Sequence, residues 1–289
     1  MKNNKLNSKI TLALALMSAV AFTACKDDLQ NNGLVSKTLD ASFTVTNVTS
    51  SPNKFLLSSS NDNYLFSEWD FNDDAGYNKG TNNLELFIPD AGTYNIKHRV
   101  VGIGGVYSDV ITKTITVATS DPAAGNLVKG GKFATADDNS QWTVSPSGGV
   151  CTFADGWATF TNVAGSWGQA AIQQPIQVEA GKKYKIDMLF KTEGVKNGWF
   201  KVYACTTPPT LGVEYTGEIL VAEVAIWGDN VGAKSGKFSS ILNPDSGTKT
   251  KNVVTFTTSG TIYLSIQCGA EDLKGGVSVS KVEFRGVSE

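Results

Sequence analysis

From Phe43 onward the chain is a succession of short runs in which apolar and polar residues alternate. Each run is soon broken by Asn, Asp, Gly or Ser. Examples are "ASFTVTNV", "TKTITVAT", "KKYKIDMLF", "GWFKVYACT" and "TIYLSIQC". A side-chain period of two belongs to a β-strand with one face on a core, and turn residues at such intervals belong to sandwiches. No apolar stripe of helical period extends past the first two dozen residues, so the expected fold class is all-β. A length of 289 residues, 41% of them hydrophobic, admits two cores. With only 18% charged residues and a net charge of -2, the chain lacks the basic stripe that nucleic acid requires, and none is expected as a partner.

The first two dozen residues read as a targeting segment. Lys2, Lys5 and Lys9 precede "ITLALALMSAVAF", an apolar run too short to span a bilayer comfortably. It stops at "FTAC". Small residues before Cys25 resemble the lipobox of bacterial lipoproteins, although Phe22 replaces the usual aliphatic residue. The competing reading is an ordinary cleavable signal with a chance cysteine. "CKDDLQNNG" resembles the export signal of surface lipoproteins in Gram-negative polysaccharide-utilisation systems; otherwise it is a solvated tether. These resemblances imply a signal peptide over 1–24, lipidation at Cys25, a tether over 25–40 and an outer-membrane, cell-surface location. They also imply partnership with the membrane and with a TonB-dependent transporter complex. Cys151, Cys205 and Cys268 remain, an odd number that cannot all pair within the chain. Cys268 alternates with Leu264 and Ile266 and reads as a buried thiol, while a Cys151–Cys205 bridge stays open.

Residues 41–118 carry "EWDFNDD", "DAGTYNIKHRV" and "GIGGVYSDVITKTITV" in that order. They resemble a PKD-type (polycystic-kidney-disease-type) domain, which implies an immunoglobulin-like sandwich serving as a spacer, without an aromatic cluster off its core. Asp70, Asn72 and Asp74 alternate as in a calcium loop. Gly76 falls one position late and Thr81 stands where a bidentate glutamate belongs, so these residues are expected to bond the turn itself. Residues 119–125, "TSDPAAG", are a polar linker.

Residues 126–289 contain eight or more short runs, as expected for a two-sheet jelly roll. "NLVKGGKF", Trp142, "WGQAAIQQPIQVEAGKKYKIDMLFKTE" and "VVTFTTSGTIYLSIQCG" are similar to family-4/9-type carbohydrate-binding modules. In that family two of these regions help hold a structural calcium. Lys132 stands where that family often has an acidic or small residue, and Ser280 and Lys281 where its closing strand usually has aspartate; lysines repel a cation, so no cofactor is expected, a structural calcium being the alternative.

Parity names the candidate site. In "GWFKVYAC", Phe200, Val202 and Ala204 satisfy the core, which turns Trp199, Lys201 and Tyr203 outward. Gln169 and Gln173 share the outward face of "WGQAAIQQ", with Trp167 at its start. Tyr263, Ser265 and Gln267 are outward in "TIYLSIQC", and Lys185, Asp187 and Lys191 in "YKIDMLFK". Four strands are thus expected to place aromatics, amides, a carboxylate and lysines on one face. That inventory suits a sugar, whose ring C–H faces stack on aromatics while its hydroxyls take hydrogen bonds. The candidate carbohydrate-binding residues are Trp167, Gln169, Gln173, Trp199, Tyr203, Trp227 and Gln267. Trp227, in "AIWGDN", is either a platform or a core plug; Trp157 has outward parity; Trp69 and Trp142 read as core.

Catalysis has little to work with. His98, the only histidine, falls in the first domain, which rules out a histidine-based triad beside the expected face. "EILVAE" and "AEDLKG" lack the carboxylate spacing of jelly-roll glucanases. The chain is therefore expected to capture polysaccharide without being an enzyme. The resembling modules suggest β-1,3-glucan or mixed-linkage β-glucan. The alternative is a surface adhesin or structural protein that binds other proteins.

Overall fold

The computed structural model describes residues 38–73, 75–211, 219–242 and 252–287. The expected signal peptide, Cys25 and most of the expected tether lie outside them. The described chain is all-β, as the period of two requires. It divides into two compact units. One takes the described residues up to Phe87 together with Thr93–Thr116; the other takes Ile88–Gly92 and the described residues from Val117 onward.

The first unit contains β1 (Phe43–Asn47), β2 (Lys54–Ser59), β3 (Phe66–Asp70), β4 (Asn78–Gly80), β5 (Asn83–Phe87), β6 (Gly92–Val101) and β7 (Ile111–Val117). Sheets ordered β1-β2-β5 and β4-β3-β6-β7 enclose a core of Phe43, Leu57, Trp69, Ile96 and Val100. Trp69 is fully buried, edge-on to Phe43 at 5.1 Å and stacked on His98 at 3.8 Å. The carbonyl of Ala41 lies 2.7 Å from His98 Nδ1, which therefore carries the proton, leaving Nε2 to accept from the Ser67 hydroxyl at 3.1 Å. Burial pushes the His98 pKa down. The Asp70 carboxylate accepts from the Asn72 amide at 2.9 Å and that of Asp73 from the Ala75 amide at 3.1 Å, so the acidic loop closes on its own backbone.

The second unit contains a short helix, α1 (Ala136–Ser140), followed by β8 (Thr143–Ser147), β9 (Gly149–Ala154), β10 (Trp157–Asn162), β11 (Gly168–Val178), β12 (Lys183–Thr192) and β13 (Lys196–Cys205). The remaining strands are β14 (Ile219–Val224), β15 (Lys234–Lys237), β16 (Val253–Thr255), β17 (Gly260–Asp272) and β18 (Val277–Gly286). One sheet runs β14-β13-β17-β11-β8 and the other β15-β12-β18-β10-β9, with β16 also on β12; neighbours are antiparallel throughout. Between them Phe200 meets Phe190 edge-on at 5.1 Å and Phe160 at 6.4 Å. Trp142 is buried in this core. Cys151, Cys205 and Cys268 are buried and unbridged, and burial raises the Cys151 thiol to about 12. Cys151 sits on β9 and Cys205 on β13, in opposite sheets, so the bridge left open above is not formed.

Candidate carbohydrate-binding face

The outer face of the first sheet of this unit is built in rows, because antiparallel register puts partnered residues on the same side. In one row Trp199 pairs with Gly269, which pairs with Gln169, which pairs with Ser147. In the next row the partners are Glu223, Lys201, Gln267, Ala171 and Ser145. In a third they are Tyr203, Ser265, Gln173 and Thr143. Trp199, Lys201 and Tyr203 are half-buried, while Phe200, Val202 and Ala204 are in the core, as parity requires.

Two more aromatics stand at the end of these rows. Trp167 directly precedes Gly168, which pairs with Ala270. A side chain at 168 would strike the Gly148 carbonyl, only 2.3 Å from its Cβ position, so the glycine lets β11 start there. Trp227 follows Ile226, whose carbonyl accepts from the Gly198 amide; the Gly228 carbonyl accepts from that of Asn197. The indoles come from separate loops, sixty positions apart in sequence, yet they stack at 5.9 Å with planes 27° apart. They remain 55% and 66% exposed. Trp227 is therefore exposed and not a core plug.

Beside the pair, Glu271 accepts from Lys196 Nζ at 2.5 Å and from Asn197 Nδ2 at 2.9 Å. The Lys196 contact, then that of Asn197, lowers the Glu271 pKa; the same ion pair raises that of Lys196. Glu271, Asn197 and Gly269 are not among the residues that parity names above. Extending the period of two from Gln267 would have reached both Gly269 and Glu271.

The amides divide. Gln169 is half-buried beside Gly269. Gln267 is buried and donates to Ser265 Oγ at 3.0 Å. Gln173 is also buried, its Nε2 3.4 Å from Ser145 Oγ and 3.5 Å from the Pro209 carbonyl, where the chain after β13 turns back over the third row. Its Oε1 has no hydrogen-bond partner among the described residues. The open part of the face is therefore the Trp199 row and the Trp167–Trp227 end.

Two expectations need correction. β12 belongs to the opposite sheet, so Lys185, Asp187 and Lys191 lie on the other outer face. Asp187 instead accepts from the Ser239 amide and hydroxyl at 3.1 and 2.7 Å. Lys191 lies over Trp157 at 4.0 Å. Parity separates core from solvent within a strand but does not say which of two sheets the strand joins. Nor is the first unit free of aromatics off its core. Arg99, paired with Glu68, lies 4.0 Å from the Tyr77 ring and 4.2 Å from that of Tyr107. This cluster forms across strands and loops and leaves no local sequence pattern.

No protein-family profile matches the sequence, and no curated protein does. Solved structures do match. A carbohydrate-binding module described as promiscuous, of the β-sandwich superfamily, is 16% identical, covering 86% of this chain and 98% of its own, with a TM-score of 0.30. The module TmCBM61, in complex with β-1,4-galactotriose, is 16% identical over 57% of this chain and 99% of its own, with a TM-score of 0.34. A SusE-like protein is 12% identical over 86% and 99%, with a TM-score of 0.22. Identities and scores this low leave function to the chain's own geometry.

Proposed function

We propose that the second unit binds the sugar rings of an oligo- or polysaccharide on the open end of the β11–β13–β17 face, without catalysing a reaction. The observation that carries this is the exposed Trp167–Trp227 stack beside Trp199. Exposed indoles next to amides and a fixed carboxylate match a ligand with apolar ring faces and polar edges. Each ring covered removes some tens of Å² from water, about 1–2 kcal/mol at ~25 cal/mol per Å². Three platforms with a few hydrogen bonds give roughly -4 to -8 kcal/mol, millimolar to micromolar affinity. Such an affinity suits a protein that captures a glycan and passes it on. Cys25 as a lipid anchor, an outer-membrane surface location and delivery to a transporter complex complete the reading, with β-1,3-glucan or mixed-linkage β-glucan as the first ligands to try. Affinity electrophoresis against a panel of soluble polysaccharides tests it. Retardation by at least one neutral glycan is expected, and no retardation by any would refute the proposal.

A second reading concerns the first unit. Leu65, Ile103, Val106 and Tyr107 are all more than half exposed, and backbone bonds from Leu65 to Val101 and from Gly102 to Val106 tie them into one region. Contiguous exposed apolar residues favour a protein contact there. Pull-down by the wild type, lost in an Ile103→Ser, Val106→Ser variant that still binds glycan, would support it.

A further inference from the structure

β17 is the middle strand of its sheet, and Gly269 is buried within it. Its backbone φ lies outside the left-handed range, so its conformation does not call for glycine. Glycine weakens a strand interior by roughly 0.5–1 kcal/mol relative to alanine. The reason for it is space. A Cβ at 269 would lie 2.7 Å from Trp199 Cζ2, 2.8 Å from Trp199 Cε2 and 2.9 Å from Gln169 Cβ. Carbon atoms not bonded to each other do not approach so closely, their optimum being about 3.5–4.0 Å. The six-membered part of the indole therefore occupies the volume that any other residue would fill. Trp199 lies down across the central strand toward Gln169 instead of standing away from the sheet. The Lys201 ammonium sits 5.9 Å from its centroid, at the outer limit of a cation–π contact, where a ligand can displace it.

We propose that Gly269 is a positioning residue for ligand recognition. Its missing side chain seats the Trp199 indole as the floor of the aromatic site, next to the exposed Trp167–Trp227 pair. The ligand part of this inference rests on the glycan-binding reading above; the seating of the ring does not. Replacing Gly269 by alanine must lift the indole, leaving the aromatic residue present but its orientation wrong. Alanine at this position adds one methyl on the outer face and removes nothing from the core, where Cys268 and Ala270 point.

The test uses the full chain labelled with 5-fluorotryptophan. The Trp199 resonance is assigned by its loss in Trp199→Phe. Gly269→Ala is expected to move that resonance and to leave those of Trp69 and Trp142 in place. With mixed-linkage β-glucan as the probe, it is expected to weaken binding by about tenfold, and adding Trp199→Ala is expected to cause no further loss. Should Gly269→Ala lower the melting temperature, adding Trp199→Ala recovers part of the loss, because the two closest atoms are those of the indole while the Gln169 Cβ contact remains. An unmoved Trp199 resonance, or losses of affinity that multiply in the double variant, would overturn the inference. If the wild type binds none of the polysaccharides in the panel, the glycan reading fails, and the fluorine spectrum still decides the seating of Trp199.

Discussion

At the scale of single residues, tryptophans with similar sequence surroundings do different work, and their exposure sorts them. Trp69 is fully buried and Trp142 nearly so, and truncating either to alanine is expected to cost about 3–5 kcal/mol of stability. Trp199 lies on the surface of the sheet, so Trp199→Ala is expected to weaken glycan binding about tenfold while changing the melting temperature little. Titration and melting on one sample check both; a collapsed melt with unchanged affinity would make Trp199 a core residue. His98 has the opposite character. Its folded pKa is lowered by burial, with the Ala41 carbonyl and Asp40 opposing. As pH falls, the unfolded chain takes up the proton first. The stability that neutral His98 contributes is thus present above its ordinary value of about 6.5 and is lost as pH falls through the folded pKa. Melting of the first unit is expected to fall between pH 7 and pH 5, and His98→Gln is expected to flatten that dependence. An equal slope in the variant would assign it to other groups.

At the scale of strands, the outward set on β13 was legible, because Phe200, Val202 and Ala204 fix the core side and the period of two does the rest. The same logic holds for Gln169, Gln173 and Gln267. What a strand does not encode is its neighbours. Asp187 is outward on β12, yet β12 pairs with β18 in the opposite sheet, and Ser239 takes up its carboxylate. Asp187→Ala is therefore expected to leave glycan affinity unchanged and to destabilise the second unit by about 1–3 kcal/mol, as Ser239 loses its acceptor. Reduced affinity at unchanged stability would return Asp187 to the site. The stacking of Trp167 on Trp227 was equally illegible, since it depends on two loops meeting at the end of a third strand. Burial of Gln173 was hidden for a related reason: outward parity does not exclude cover from another part of the chain, and the segment at Pro209 supplies it.

At the scale of the whole molecule, two β-sandwich units share one chain, and the exposed aromatic end belongs to the second. The proposed anchor at Cys25 predicts that wild-type protein fractionates with membranes and that Cys25→Ser does not; a membrane-bound Cys25→Ser variant would remove the lipoprotein reading. Within the second unit the proposed glycan site is the Trp167–Trp227 end of the β11–β13–β17 face. The most direct measurement is calorimetric titration of the full chain with whichever polysaccharide retards it in electrophoresis, comparing wild type with the Trp167→Ala, Trp227→Ala double variant. Both indoles are exposed, so the variant is expected to melt close to the wild type and to bind at least about tenfold more weakly. Full affinity retained in a folded double variant would contradict the account.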